Sequence, residues 1–176
     1  MSDMLICVDA MDRQIGTAEK LRCHKDGLLH RAFSVFLVDG DRMLLQRRAL
    51  SKYHSGGKWA NSCCSHPRDG ESLEEAVPRR LKEELGLECR CEEVGSFVYR
   101  HCFENGLTEY EYDHVFVGRY TGEVFPAPEE IMDTKWFEIK DILSLMNDRA
   151  DMFAPWFITA FPLVLKQLKY PGTGLL

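Results

Sequence analysis

Residues 61 to 87 set a thiol at Cys64, an imidazole at His66, a carboxylate cluster and the adjacent arginines Arg79 and Arg80 into one loop and the segment it feeds. A structural loop does not need that density of ionisable groups, so the stretch reads as the floor of an active site. The segment after the loop is helical by its letters. Ser72, three residues before Glu75, forms a capping box, and Gly86 suits the position just past a helix end. At roughly 100° per residue, Leu73, Val77 and Leu81 make one apolar stripe, and Glu84 falls inside it while Arg79, Lys82 and Glu83 point away. A carboxylate aimed inward is costly to desolvate unless it meets a cation or a metal. Arg80 lies on the adjoining edge, where it fits either a surface i,i+4 pair with Glu84 or a role in the site. Pro78 conflicts with the helix interior and predicts a kink there, or a first turn that starts after the capping box.

Two other places offer chemistry. Glu109 and Glu111 lie two apart in the strand-like run 107–117, so both face one way and repel unless a cation lies between them. They fit a solvent-facing edge or a cation site equally well. Arg47, Arg48 and Lys52 gather cations where a strand ends; the cluster suits a diphosphate, with forked donors from Arg and a point charge from Lys, or a solvated basic loop. His24 and His30, six apart, would by themselves be surface or core histidines.

The elements that must position these groups follow from pattern. Met4 to Val8 reads as a short strand and Asp9 to Gly16 as the turn returning it. Lys20, Cys23, His24 and His30 fall in a mixed polar segment. Ala32–Asp39 and Arg42–Arg47 form a hairpin about Gly40-Asp41. Trp59 reads as a packing residue. Cys89–Arg100 contains a strand, Asn105-Gly106 a turn, Phe125–Glu130 a Pro-broken loop, Thr134–Phe137 a last short strand and Ile139–Met146 a helix. The final helix opens at Met152–Phe157 with Pro155 in its first turn, and Pro162 should kink it. The tail at Pro171-Gly172 carries no signal.

At 176 residues and 45% hydrophobic letters the chain reads as one domain over residues 1–176 with a core that needs no staple. A net charge of -6 argues against general nucleic-acid binding. Seven cysteines without a CxxC pair indicate neither a zinc ribbon nor a closed disulfide framework. With no signal segment and no run of 18 apolar residues, the expectation is a cytoplasmic protein with no membrane or obligate protein partner.

Glu71, followed after seven residues by Arg79-Arg80-Leu81-Lys82-Glu83-Glu84-Leu85-Gly86-Leu87, resembles the Nudix box, G-x5-E-x7-R-E-U-x-E-E-x-G-U. Ser65 stands where its first glycine belongs, and Arg80 replaces the glutamate that helps hold the metals of a Nudix hydrolase. Those departures, with Asn61-Ser62-Cys63-Cys64-Ser65-His66-Pro67, resemble one branch, the type I isopentenyl diphosphate isomerases. The resemblance implies an α+β fold, a Nudix-type α/β/α sandwich with a mixed β-sheet and flanking helices. It also implies a small-molecule diphosphate as substrate, with a double bond moved through a carbocation by protonation and deprotonation.

Carried over position by position, Cys64 and Glu111 would be the proton-transfer pair, with Tyr99 bonded near Glu111 and assisting it. Cys64 is preferred to Cys63 because it stands two residues before His66, in the family's Cys-x-His-Pro. Lys20, Arg48, Lys52 and Arg80 would hold the diphosphate, Trp156 would face the carbocation, and Mg2+ would bridge the diphosphate to Glu84. His24, His30, His66, Glu109 and Glu111 would hold one Mn2+ or Zn2+; three histidines and two carboxylates do not choose between those ions. Two other readings compete. A Nudix hydrolase would use Glu71, Glu83 and Glu84 for Mg2+ and leave Cys64 without a task; a non-catalytic binding module with a degraded box predicts lost metal ligands.

Overall fold

A computed structural model describes residues 4–170; the Pro171-Gly172 tail lies outside them. The long apolar strand β3 (His30–Asp39) is the hub of one mixed sheet. On one side it pairs in parallel with β8 (Thr108–Arg119), which pairs antiparallel with β7 (Cys91–Cys102). On the other it meets β4 (Arg42–Arg48) through the tight turn at Gly40, and β4 carries β5 (Trp59–Ala60) and β9 (Ile131–Glu138). Its N-terminal half also holds β1 (Met4–Val8) and β6 (Cys63–Ser65), and β1 carries β2 (Gln14–Glu19).

The period of two along these strands divides the core into two layers. Phe36 and Val38 of β3, with Met43 and Leu45 of β4, pack under α4 (Pro155–Gln167) and α3 (Ile139–Asp148) against Phe157, Phe161 and Val164. Phe33, Val35 and Leu37, with Leu44, pack against Ala76, Val77, Leu81 and Leu85 of α2 (Leu73–Leu85). Helices on both faces of a mixed sheet give the α/β/α layering that the family resemblance implied.

Helix α2 follows its sequence closely. The Ser72–Glu75 capping box is formed in both directions, and Gly86 ends the helix at φ 65°. A Cβ on Gly86 would stand 2.9 Å from the Phe125 side chain, so this glycine is required twice over. The first turn begins at Leu73 in spite of Pro78, so the late start is not what the chain does. The favourable cap and the Leu81–Leu85 burial hold the helix through the lost hydrogen bond. Pro162 likewise sits within a continuous α4. The polar segment around His24 is a helix, α1 (Lys20–Asp26), closed by Gly27 at φ 62°; two turns without a side-chain cap leave no periodicity to read. The Asp9 turn is also shorter than expected, with β2 starting at Gln14.

Candidate active site

The site forms where β3, β6 and β8 run side by side. Parallel pairing puts His30 opposite Glu111, and antiparallel pairing puts Ser34 opposite Cys64. His66 follows β6 in the loop leading to α2, and α1 brings His24 over the same end. The donor atoms of His24, His30, His66 and Glu111 lie within 4.8 Å of one another. His24 Nδ1 donates to the Lys20 carbonyl at 2.7 Å and His30 Nδ1 to the Leu28 carbonyl at 2.8 Å. A carbonyl only accepts, so both rings carry their proton on Nδ1 and turn an Nε2 lone pair inward.

Inside the cluster, His30 Nε2 is buried with no hydrogen-bond partner and stands 3.5 Å from Glu111 Oε1. His66 Nε2 lies 2.9 Å from the same oxygen. A lone pair and a carboxylate facing each other in a buried pocket repel unless a cation sits between them. The residues present therefore fit a divalent metal ion.

Glu109 was expected in the same set, and the structure places it beside it. Its carboxylate accepts the Tyr99 hydroxyl and lies 2.8 Å from His54 Nε2. Tyr99 was expected to bond near Glu111; it pairs with Glu111 in backbone register, but its hydroxyl goes to Glu109, which its side chain reaches diagonally across the strands.

The other expected residues line one pocket. Lys20, Arg48, Lys52 and Arg80 stand on its walls with Cys64, His66, Glu84 and Trp156. Cys63 and Cys64 alternate in β6, so Cys63 is fully buried under α2 and Cys64 faces the cavity. Arg48 Nη1 lies 3.7 Å from Cys64 Sγ, and its guanidinium carbon 5.0 Å from the Trp156 ring centroid. The indole N–H of Trp156 donates to Asn61 Oδ1 at 3.0 Å, which fixes the ring.

Arg80 and Glu84 do form an i,i+4 pair, but Glu84 is only 3% exposed, so the pair is not a surface one. Glu130, which the sequence reading passed over as loop, accepts from both Lys52 and Arg80. Glu71 is clamped by Arg79 at 2.5 and 2.7 Å, and Glu83 takes contacts from Arg79 and Arg80. All three carboxylates a hydrolytic Mg2+ cluster would need are thus paired with arginines.

A family model described as the NUDIX domain matches residues 28–157. The isopentenyl-diphosphate Delta-isomerase of Burkholderia multivorans is 50% identical over 158 residues, covering 89% of this chain and 90% of that relative. The isopentenyl-diphosphate Delta-isomerase 2 of Aromatoleum aromaticum is 42% identical over 175 residues, covering 99% and 93%. The chain belongs to the isopentenyl-diphosphate Delta-isomerase family. Among solved structures, a Deinococcus radiodurans protein shares the fold with a TM-score of 0.69 at 20% identity, covering 84% of this chain and 90% of that one.

In this isomerase-family chain, burial sets the protonation states. It pushes the Cys64 thiol up to about 12, with the Arg48 charge pulling the other way, so the sulfur keeps its proton. Burial also opposes the Glu111 charge, but the adjacent His30 and His66 rings outweigh it and hold that carboxyl well below the usual range. Burial depresses His24 to about 4 and His66 to about 3, from an ordinary 6.5.

A buried histidine with a depressed pKa contributes stability above pH 6.5 that is lost as pH falls towards the folded value, because the unfolded chain takes up the proton first. The slope is up to about 1.4 kcal/mol per pH unit for each such group. Asp113, which burial raises well above 3.8, acts in the opposite sense, so the histidine is best isolated by comparison. In chelator, the urea midpoint of the wild type is expected to fall relative to that of His66→Asn as pH goes from 7 to 4. Parallel midpoints would mean that His66 titrates normally.

Proposed function

We infer that the chain interconverts isopentenyl diphosphate and dimethylallyl diphosphate by a 1,3 proton transfer. The observation that carries this reading is Cys64, a protonated thiol facing the cavity that Glu111 also lines, under a rim of four cations. An unactivated alkene is protonated only at the cost of a tertiary cation, so the site needs an acid, a base and no water to trap the cation. Cys64 and Glu111 take those two roles and exchange them with the direction of reaction, as microscopic reversibility requires. Trp156, fixed by Asn61, presents its ring to a cation as it already does to Arg48, an interaction worth on the order of 2 kcal/mol when desolvated. Tyr99 steadies the carboxylate pair through Glu109.

His24, His30, His66, Glu109 and Glu111 would hold Mn2+ or Zn2+, which when bound tunes the acidity of the Glu111 carboxyl. Glu84 would hold the Mg2+ that accompanies the substrate's diphosphate. Lys20, Arg48, Lys52 and Arg80 bind the diphosphate, and Lys52 and Arg80 release Glu130 to do so. Arg80 supports the isomerase reading over hydrolysis, because it puts a phosphate-binding cation where the hydrolases keep a metal-binding glutamate. No helix of the described residues is long and apolar enough to cross a membrane. The seven free cysteines support a reducing, cytoplasmic setting.

The direct experiment is proton NMR of isopentenyl diphosphate incubated with the protein, Mg2+ and Mn2+ in D2O. Dimethylallyl diphosphate carrying deuterium, with no phosphate released, is expected. Phosphate without isomer would overturn the reading in favour of a hydrolase. Arg80→Ala is expected to weaken the apparent affinity for the diphosphate by about 10- to 100-fold, the range for a lost charge-assisted hydrogen bond. An unchanged KM in a variant with a native urea transition would remove Arg80 from the substrate site.

A further inference from the structure

His54 lies in the loop between β4 and β5 and has no place in the set described above. Its side chain is 2% exposed, and both ring nitrogens are buried without a hydrogen-bond partner. A neutral imidazole always presents one N–H and one lone pair, so leaving both unmet in a dry site is costly, and the protein needs a reason to hold it there. The ring is held firmly all the same. Phe103 stacks on it at 4.5 Å between centroids, Tyr53 meets it edge-on at 4.4 Å and Trp156 closes a third side at 5.8 Å. These apolar walls offer nothing to either nitrogen.

The His54 ring also faces the metal-binding cluster, with its centroid 6.0 Å from that of His24. His54 Nε2 is 2.8 Å from Glu109 Oε1 without hydrogen-bond alignment. The donor atoms of His24, His54 and Glu109 lie within 4.8 Å of one another, and His24 belongs equally to the group with His30, His66 and Glu111. An imidazole without an aligned hydrogen bond, a carboxylate crowded against it and the His24 Nε2 lone pair, which the Tyr53 hydroxyl approaches at 3.3 Å, are the elements of a second, overlapping ligand set.

Resting on the metal centre inferred above, we propose that His54 is a direct ligand of that centre, so that four imidazoles and two carboxylates surround one ion. A single lone pair on His24 Nε2 serves one ion only, so the two groups share a metal and do not hold two. Glu109 would join the ligand set together with His54, with which its carboxylate is grouped. A fourth imidazole also favours Co2+ and Zn2+ over Mg2+.

The test loads the full-length protein with Co2+ and reads calorimetric affinity together with the visible d–d spectrum. His54→Ala is expected to weaken Co2+ binding by at least tenfold and change the d–d bands, and added imidazole, entering the space left by the ring, is expected to restore both. Weakened affinity with unchanged bands and no imidazole rescue would overturn ligation, leaving His54 a positioning residue for Glu109. Unchanged affinity and bands would overturn any role at the metal. Should His54→Ala not fold, His54→Gln carries the same spectral comparison without the cavity. His66→Ala serves as the reference for the centre itself. Wild type that takes up no Co2+ refutes the metal centre and this inference with it, whereas wild type that binds as His66→Ala fails to bind leaves only His54 in question.

Discussion

Cys64→Ala is expected to reduce isomerisation by about a thousandfold or more while changing substrate affinity by no more than a few-fold. A positioned acid–base group contributes on the order of 100- to 10,000-fold. In this reading the diphosphate contacts are all made by other side chains, Lys20, Arg48, Lys52 and Arg80, and Arg48, which touches the sulfur at 3.7 Å, is also held by the His54 carbonyl. Cys63→Ala is the natural control. That residue is fully exposure-free beneath α2, so its loss should lower stability by the small cost of a cavity and leave turnover nearly intact. Rates from single-turnover conversion and affinity from equilibrium binding separate the two effects. Retained turnover in Cys64→Ala would move the proton-transfer role off this residue.

The second large effect is expected at Glu111. Glu111→Gln keeps the shape of the side chain but removes the charge that His30 and His66 face, and with it the capacity to take up a proton. Turnover should fall by about a thousandfold or more even at saturating metal, since proton transfer is lost whether or not the ion binds. Glu109→Gln provides the contrast. Glu109 touches Tyr99 and His54 and serves metal binding alone in this reading, so its variant should regain much of its rate as Mn2+ is raised. Measuring kcat against metal occupancy for both variants distinguishes them. Recovery of Glu111→Gln by metal to within tenfold of wild type would reduce Glu111 to a ligand.

What could be read from the letters alone divides along physical lines. Helix α2 was legible because its cap, stripe and stop are local, and Glu84 followed as the carboxylate on its buried face. The choice of Cys64 over Cys63 and the shared facing of Glu109 and Glu111 came from motif and strand period. The union of His24, His30, His66 and Glu111 was not legible, because it depends on parallel pairing of β3 with β8, which no spacing encodes. The family resemblance supplied it. His54 and Glu130 went unread for a related reason. Each sits in an irregular loop without a periodic pattern, and only the fold shows His54 walled in by Phe103 and Trp156 and Glu130 spanning Lys52 and Arg80. Tyr99 was expected to bond near Glu111 and its hydroxyl reaches Glu109, since register fixes backbones and leaves a long side chain free to reach diagonally.

The hub position of β3 has a consequence for the order in which the molecule is made. Ser34 and Asp113, joined by a buried hydrogen bond of 2.8 Å at the centre of the β3–β8 pair, are 79 residues apart in the chain. Loops of that length close late, after local helices and hairpins have formed. His30 and Glu111 meet only through that closure, and Cys64 reaches its place only when β6 has docked on the same strand. The ligands of this centre therefore come together only with the sheet, unlike those of a small zinc finger, which are local in the chain. Metal uptake during refolding becomes a clock for the closure of the β3–β8 pair, and a nascent chain bears none of the finished centre's reactivity until β8 has been synthesised.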